Sequence, residues 1–248
     1  MTDDHDIQLS VVTAAYDEAA NLPRLIQEID AALKHIPGVH EIIIVDDGSD
    51  DATPDVCGQL LDQYPLLRVR RLAHRSGQTA AIDAGFRIAR GTYVAMLDAD
   101  LQNDPADVPR LLDMLITGPY DLVSGWRSRR QDPWIRRLSS RIANDIRNRL
   151  THESIHDSAC GLKVFRRACL AQIKLYTGMH RFLPTLFRME GFRVVEVPVN
   201  HRPRIAGIAK YGIRNRAVRG LRDTLAVRWM HSRALRYEVE EERRSSHA

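Results

Sequence analysis

Long apolar runs are missing from this sequence of 248 residues. In its first half the longest uninterrupted aliphatic stretch covers residues 42–45, whereas a membrane-spanning helix needs roughly 18 or more consecutive apolar residues. The opening residues Met1, Thr2, Asp3, Asp4, His5 and Asp6 are acidic. They lack the basic start and apolar stretch of a secretory leader, so a cytoplasmic location is expected. Cysteine is scarce: Cys57, Cys160 and Cys169 are odd in number and show no CxxC spacing. That argues against a disulfide framework and a zinc site and leaves reduced structural thiols. Internal repeats and low-complexity linkers are also lacking, so nothing cuts the chain into separate domains.

What is present suits a folded α/β chain. With 44% hydrophobic and 27% charged residues, one large domain can bury a full core. The net charge of +4 conceals a division. Residues 1–123 carry 9 Lys and Arg against 21 Asp and Glu; residues 124–248 carry 27 against 11. Such asymmetry fits a metal-using half joined to an anion-facing half, although two solvated surfaces would look the same.

Hydrophobic periodicity alternates between strand and helix. Residues 7–14 read as a strand, and Leu22, Leu25, Ile26, Ile29 and Leu33 follow at helical spacing. A strand over 41–45, a helix through Val56, Leu60 and Leu61, a strand over 66–72 and a helix over 79–89 continue the order. A strand over 93–97, a helix over 106–115 and a strand over 122–124 close this half. The β-α-β-α order predicts a mostly parallel open sheet flanked by helices. Beyond residue 124 the texture becomes Arg-rich, with an amphipathic helical insert over about 128–152. A short α/β piece runs from Asp157 to a strand over 193–199, and residues 201–212 are irregular and basic. An amphipathic helix over 213–237 and a polar tail over 238–248, expected to be disordered, complete the chain.

In open parallel sheets ligands gather outside the carboxyl ends of the strands, and the polar clusters fall there. Leu97-Asp98-Ala99-Asp100-Leu101-Gln102 ends an apolar strand in two carboxylates one residue apart. A hard divalent cation, Mg2+ or Mn2+, needs such oxygen ligands and can take the rest from a nucleotide diphosphate. Asp pairs also occur as solvated or capping residues in ordinary loops. The stretch Val45-Asp46-Asp47-Gly48-Ser49 delivers carboxylates to the same edge. Asp46 there could accept hydrogen bonds from a base or ribose, and the cluster could at the same time serve as a cap and turn, with Ser49 to Thr53 starting the helix.

Seven stretches in a fixed order resemble the family 2 glycosyltransferases: VVTAAYDEAANLPRLI, EIIIVDDGSDDAT, HRSGQTAAIDAGFRIARG, MLDADLQNDPADVPRLL, GWRSRRQDPWIRRLSSRIAN, DSACGLKVFRR and HRPRIAGIAKYG. More narrowly, they resemble polyprenyl-phosphate sugar transferases of the dolichyl-phosphate mannose synthase and undecaprenyl-phosphate aminoarabinose transferase type. The resemblance implies a GT-A, Rossmann-like domain over residues 1–212. It places Tyr16, Glu18 and Asp46 on the nucleoside, and Asp98, Ala99, Asp100 and Gln102 on the nucleotide sugar and metal, with Asp100 and Gln102 as the best ligand candidates. It places Arg127 on phosphate, Arg204 and Lys210 over donor and acceptor, and Asp157 near the reacting centre. Two positions depart from the family pattern: Ala14 stands for a proline, and Ala209 removes a hydroxyl beside Lys210. The membrane-spanning helices that follow in many relatives are not found here.

The implied reaction is inverting transfer of a sugar from a UDP- or GDP-sugar to a polyprenyl phosphate at the cytoplasmic membrane face. A soluble or growing glycan is the alternative acceptor, and a nucleotidyltransferase could use paired carboxylates in the same way. Nucleic acid is not expected as a partner, because no known binding motif appears and the acidic strand ends would repel phosphate without metal. Trp134, Ile135, Leu138, Ile142, Ile146 and Leu150 lie among Arg136, Arg137, Arg141, Arg147 and Arg149. In the last helix Val218, Leu221, Leu225, Trp229 and Met230 lie among Arg219, Arg222, Arg228 and Arg233. Basic amphipathic helices with Trp suit peripheral contact with an anionic membrane surface. A homo-oligomer interface or packing on the sheet would bury the same stripes.

Overall fold

A computed structural model describes residues 7–127, 155–203 and 213–235, without the side chains of 213–219. The expected insert over 128–152, Arg204, Lys210 and the tail over 238–248 lie outside the described residues.

The first half alternates as the periodicity demands: β1 (Ile7–Ala15), α1 (Leu22–Leu33), β2 (Val39–Asp46), α2 (Thr53–Gln63), β3 (Leu67–Arg71), α3 (Gln78–Phe86), β4 (Tyr93–Asp98) and α4 (Val108–Thr117). Proline stands in the first turn of α1, α2 and α4, where its missing N–H has no helical partner to lose. In α1 the residues Leu22, Leu25, Ile26, Ile29 and Leu33 are all buried, the face that their spacing specifies. The second half supplies β5 (Leu122–Trp126), β6 (Lys163–Arg166), α5 (Leu183–Met189), β7 (Val194–Pro198) and α6 (Ile213–Arg233).

The strands form one sheet in the order β3-β2-β1-β4-β6-β5-β7. Strands β3, β2, β1 and β4 run parallel, as do β5 and β7. Strand β6 is antiparallel to both neighbours and wedges between β4 and β5. The alternation of helix and strand does not announce β6: a four-residue strand whose partners lie about 40 and 70 positions earlier has no local pattern to reveal it.

Successive residues of the central strands serve opposite faces. Leu9, Val11, Ile42, Ile44 and Leu97 meet α1, α2 and α4. Val12, Ile43, Val45, Met96 and Phe165 meet α3 and α5. Helix α6 docks on the margin of the second layer, where Val227 and the half-buried Met230 join Met179, Phe182 and Leu186. The apolar stripe read from sequence is therefore divided: Met230 turns toward the body, while Leu221, Leu225 and Trp229 remain exposed at 50%, 50% and 64%.

The register places the strand ends level. Ala15 of β1 stands beside Asp46 of β2, and Ala14 stands beside Asp98 of β4. The order runs outward from β1 in both directions, so a crevice opens at this edge. Phe165 is wholly buried and meets Phe86 and Phe187 edge-on, with ring centres 5.2 and 5.4 Å away. Phe165→Ala is expected to lower the unfolding free energy by about 3–5 kcal/mol, measured by urea denaturation.

Candidate functional site

The floor of the crevice is Asp98, delivered by a buried strand to the sheet edge. Its carboxylate accepts a hydrogen bond from the Gln78 amide at 2.8 Å. Burial pushes the carboxyl up, the nearby Asp100 charge adds to this, and Lys163, Arg127 and Gln78 offset only part of it, leaving Asp98 at about 6. The chain then turns sharply. Leu101 adopts φ +60°, and the Gln102 N–H donates to the Asp100 carboxylate at 3.2 Å. Asp100 and Gln102 are half-buried at this turn, and Ala99 is buried beneath it. A glycine is required opposite: a Cβ on Gly161 would overlap the Asp98 carboxylate and press on the Asn103 amide.

Beside Asp98 lies a pocket of roughly 100 Å³, lined among others by Gln78, Ser158, Lys163, His180 and Arg181. Lys163 is 1% exposed, and its ammonium donates to the Cys160 carbonyl. Burial pulls its pKa down, against the opposing pull of Cys160, Asp98 and Asp157. The Thr79 hydroxyl oxygen accepts the Gly178 N–H at 2.9 Å and lies 2.6 Å from His180 Nδ1. Burial, then the charges of Arg181 and Lys163, lower His180 to about 3, so the ring is neutral at ordinary pH.

A second group joins the ends of β5 and β7. Both oxygens of Asp157 accept from the Arg127 side chain, at 2.7 and 2.9 Å, and the Arg127 N–H adds a third bond at 3.2 Å. Asp157 is 2% exposed. Burial alone would lower the Arg127 pKa, but the hydrogen bonds and charge of Asp157 raise it. Glu196 of β7 holds the loop from below. It accepts the backbone N–H groups of His156 and Asp157 at 2.7 and 2.9 Å, and lies 3.0 Å from the His156 ring. The ring stacks on Trp126 at 4.6 Å.

The remaining sequence candidates flank β1 and β2. The Tyr16 hydroxyl donates to Asp50 at 3.2 Å, and the Arg75 guanidinium lies over its ring at 4.1 Å. Glu18 accepts from the Asn21 amide at 2.6 Å at the entry to α1. Asp46 is 1% exposed and serves the turn: one oxygen accepts from both the N–H and hydroxyl of Ser49, and the other faces Arg71 at 3.3 Å. One oxygen thus builds the turn, as the cap-and-turn reading of the sequence expects, while the other is buried without a hydrogen bond. Its neighbour Asp47 was not singled out there. It accepts the Ser76 and Gly77 N–H groups at 2.7 and 2.9 Å, and so fixes the loop that presents Gln78 to Asp98.

Asp98, Asp100 and Gln102 thus form one oxygen-rich turn. Among the described residues no group of three His, Cys, Asp or Glu could hold a metal alone. A partial oxygen shell of this kind fits a hard divalent cation that completes its coordination with substrate phosphates. All three cysteines are free and buried, and burial pushes each thiol to about 11. They are structural thiols, as their spacing suggested.

His180 supplies a pH test. A folded-state pKa near 3 against an unfolded value near 6.5 means that the unfolded chain binds the proton first, so this contribution to stability fades as pH falls below about 6.5. At pH 4.5 the loss should reach about 2–3 kcal/mol. Chemical denaturation of wild type and His180→Gln between pH 7.5 and 4.5 should show the variant less sensitive to acid.

Comparison with known proteins agrees with this architecture. The model of the family described as glycosyl transferase family 2 matches residues 10–174. The dodecaprenyl-phosphate galacturonate synthase of Rhizobium johnstonii is 38% identical over 225 residues, covering 89% of this chain and 66% of the relative. An undecaprenyl-phosphate 4-deoxy-4-formamido-L-arabinose transferase of Aeromonas hydrophila is 36% identical over 210 residues, covering 84% and 64%. The chain therefore spans just under two thirds of the length of these relatives. Among solved structures, glucosyl-3-phosphoglycerate synthase from Mycobacterium tuberculosis, in complex with Mn2+, UDP and glucosyl-3-phosphoglycerate, superposes with a TM-score of 0.70. It is 21% identical and is matched over 92% of this chain and 80% of its own. A Pyrobaculum calidifontis mannosyltransferase in complex with GDP-Man and Mn2+ gives 0.62 at 18% identity, over 90% and 69%. These similarities establish the GT-A fold, and the family match, set beside the strand-end carboxylates, shows that this chain belongs to glycosyl transferase family 2.

Proposed function

We propose that this chain is an inverting glycosyltransferase that moves a sugar from a UDP- or GDP-sugar to a polyprenyl phosphate at the cytoplasmic face of a membrane. The observation that carries the reading is the oxygen-rich Asp98–Gln102 turn facing cationic residues of the second half, in a chain 38% identical to a polyprenyl-phosphate sugar synthase. Mn2+ accompanies the nucleotide in two structural neighbours, and Mg2+ offers the same chemistry.

Asp100 and Gln102, with Asp98, would hold the cation. A bound divalent ion stabilises the charge that builds on the leaving diphosphate as the sugar–phosphate bond breaks. Arg127, Arg204 and Lys210 are assigned to the phosphates of donor and acceptor. A lipid phosphate with a second pKa near ~6 is largely ionised at neutral pH, so it needs little help from a base. Asp157 accordingly acts as an orienting group: its oxygens both accept from Arg127, which holds the guanidinium at the edge of the crevice. Tyr16 and Arg75 offer a flat cationic surface for the nucleoside.

The membrane contact is assigned to α6. Leu221, Leu225 and Trp229 recur every four residues on its outward side, and Arg222, Arg228 and Arg233 are exposed around them. An apolar stripe with guanidinium borders matches an anionic lipid surface.

The test combines the chain with UDP- and GDP-sugars, Mn2+ or Mg2+, and undecaprenyl phosphate, scoring nucleoside diphosphate and lipid-linked sugar. Transfer should stop with chelator and fall by about 10²–10³-fold in Asp100→Ala. Because Asp98 binds a proton at about 6, the Mn2+ requirement should rise as pH falls through that value. Equal turnover without lipid phosphate would point instead to a soluble or glycan acceptor, and pyrophosphate release to a nucleotidyltransferase.

A further inference from the structure

The segment leaving β7 is stitched to the turn that follows β4. Arg110 donates to the Pro198 carbonyl at 2.6 Å, and the Asn200 N–H donates to Asp107 at 2.7 Å. His201 pairs with Asn103 as an isolated antiparallel bridge, and the Arg202 N–H donates to the Gln102 carbonyl at 2.9 Å. The Arg202 side chain completes the seam. One guanidinium nitrogen meets Asp104 at 2.7 Å and another meets Glu28 of α1 at 2.5 Å.

One residue thus grips the Gln102–Asp104 turn twice, by backbone and by side chain, and anchors it to the rigid first helix. Asp104 also accepts the Ala106 N–H at 3.1 Å, so the clamped carboxylate is the one that starts the next helical turn. Arg202 is 30% exposed, and ion pairs this open to solvent add little net stability. Its effect is geometric. Immediately before this turn Leu101 adopts φ +60°, a conformation that a bulky side chain avoids unless its surroundings impose it. The planar fork of an arginine can meet two carboxylates on different elements at once, whereas a lysine presents a single charged point.

We propose that Arg202 is a positioning residue: it holds the turn so that Asp100 and the Gln102 side chain stay presented to the cation and diphosphate of the donor. This role rests on the reading of residues 98–102 as the diphosphate end of the site. Arg202 stands in the stretch HRPRIAGIAKYG, but this role could not be read there, since its three partners lie 98 to 174 positions earlier in the chain.

The experiment measures Mn2+-dependent UDP or GDP binding by titration calorimetry, with donor KM and kcat, in wild type, Arg202→Gln, Arg202→Lys, Gln102→Ala and the double variant Gln102→Ala/Arg202→Gln. Arg202→Gln should weaken metal-dependent nucleotide binding by about tenfold, as loss of a group that orients metal ligands does. Donor KM should rise in parallel, while the thermal midpoint moves little. Arg202→Lys should recover part of the affinity by meeting one of the two carboxylates. Because Arg202 acts through the turn, the double variant should bind no more than about threefold worse than Gln102→Ala alone. Full multiplication of the two single effects, or a lowered thermal midpoint with binding unchanged, overturns the positioning role. A wild type that binds neither UDP nor GDP with Mn2+ overturns the donor site itself, and this role with it.

Discussion

A carboxylate placed under the end of a central strand costs a fold dearly unless positive charge arrives with it. Asp98 is in that position, with Asp100 two residues away adding repulsion. The answer is Lys163, and the unusual element of the sheet delivers it. Strand β6 lies antiparallel between β4 and β5, in a register that sets Lys163 opposite Met96, two residues before Asp98 and on the same face. A parallel strand at that place would have continued the alternation of the first half but would have had to bring its cation from elsewhere. Gly161 then lets the loop before β6 lie directly on the Asp98 carboxylate. The balance is incomplete, because Asp98 still sits at about 6, and a bound cation would complete it.

That balance explains which parts of the molecule could be read from the chain. The elements from β1 to α4 were legible because each buries a face whose period is written locally, as Leu22, Leu25, Ile26, Ile29 and Leu33 show for α1. The turn Asp98 to Gln102 was legible because an apolar strand broke off in acids. Lys163, His180, Gly161 and Glu196 were not, since each matters through a partner far away in sequence. Thr79 and His180, for instance, are 101 positions apart. Gln78 stood inside a recognisable stretch, but its amide acquires meaning only when Asp47 fixes the loop before it.

Asp46 and Asp47 show how differently two neighbouring carboxylates at one strand end can be used. The strand brings Asp46 to the crevice, where Ser49 takes one of its oxygens while the other, buried near Arg71, accepts no hydrogen bond. The next residue, Asp47, spends both of its oxygens on backbone N–H groups. Of two acids that look alike in sequence, one is consumed in building a loop and the other keeps an oxygen without a hydrogen bond, and their loops carry Ser49, Asp50, Arg75 and Gln78 to the edge. Sequence marks where polar groups collect; the hydrogen bonds decide which of them remain for a ligand.

The Arg127–Asp157 pair bears on the chemistry in the same way. A general base must have an oxygen within reach of the proton it removes. Here both Asp157 oxygens accept from one guanidinium, and the carboxylate is nearly inaccessible to solvent. Glu196, on the neighbouring strand, fixes the two backbone N–H groups beside it, so the loop has little freedom to turn Asp157 outward. Asp157 held this way can orient the Arg127 guanidinium, and it can remove a proton only if that ion pair first opens. The geometry of this one pair therefore ties the part of Asp157 in the proposed reaction to Arg127.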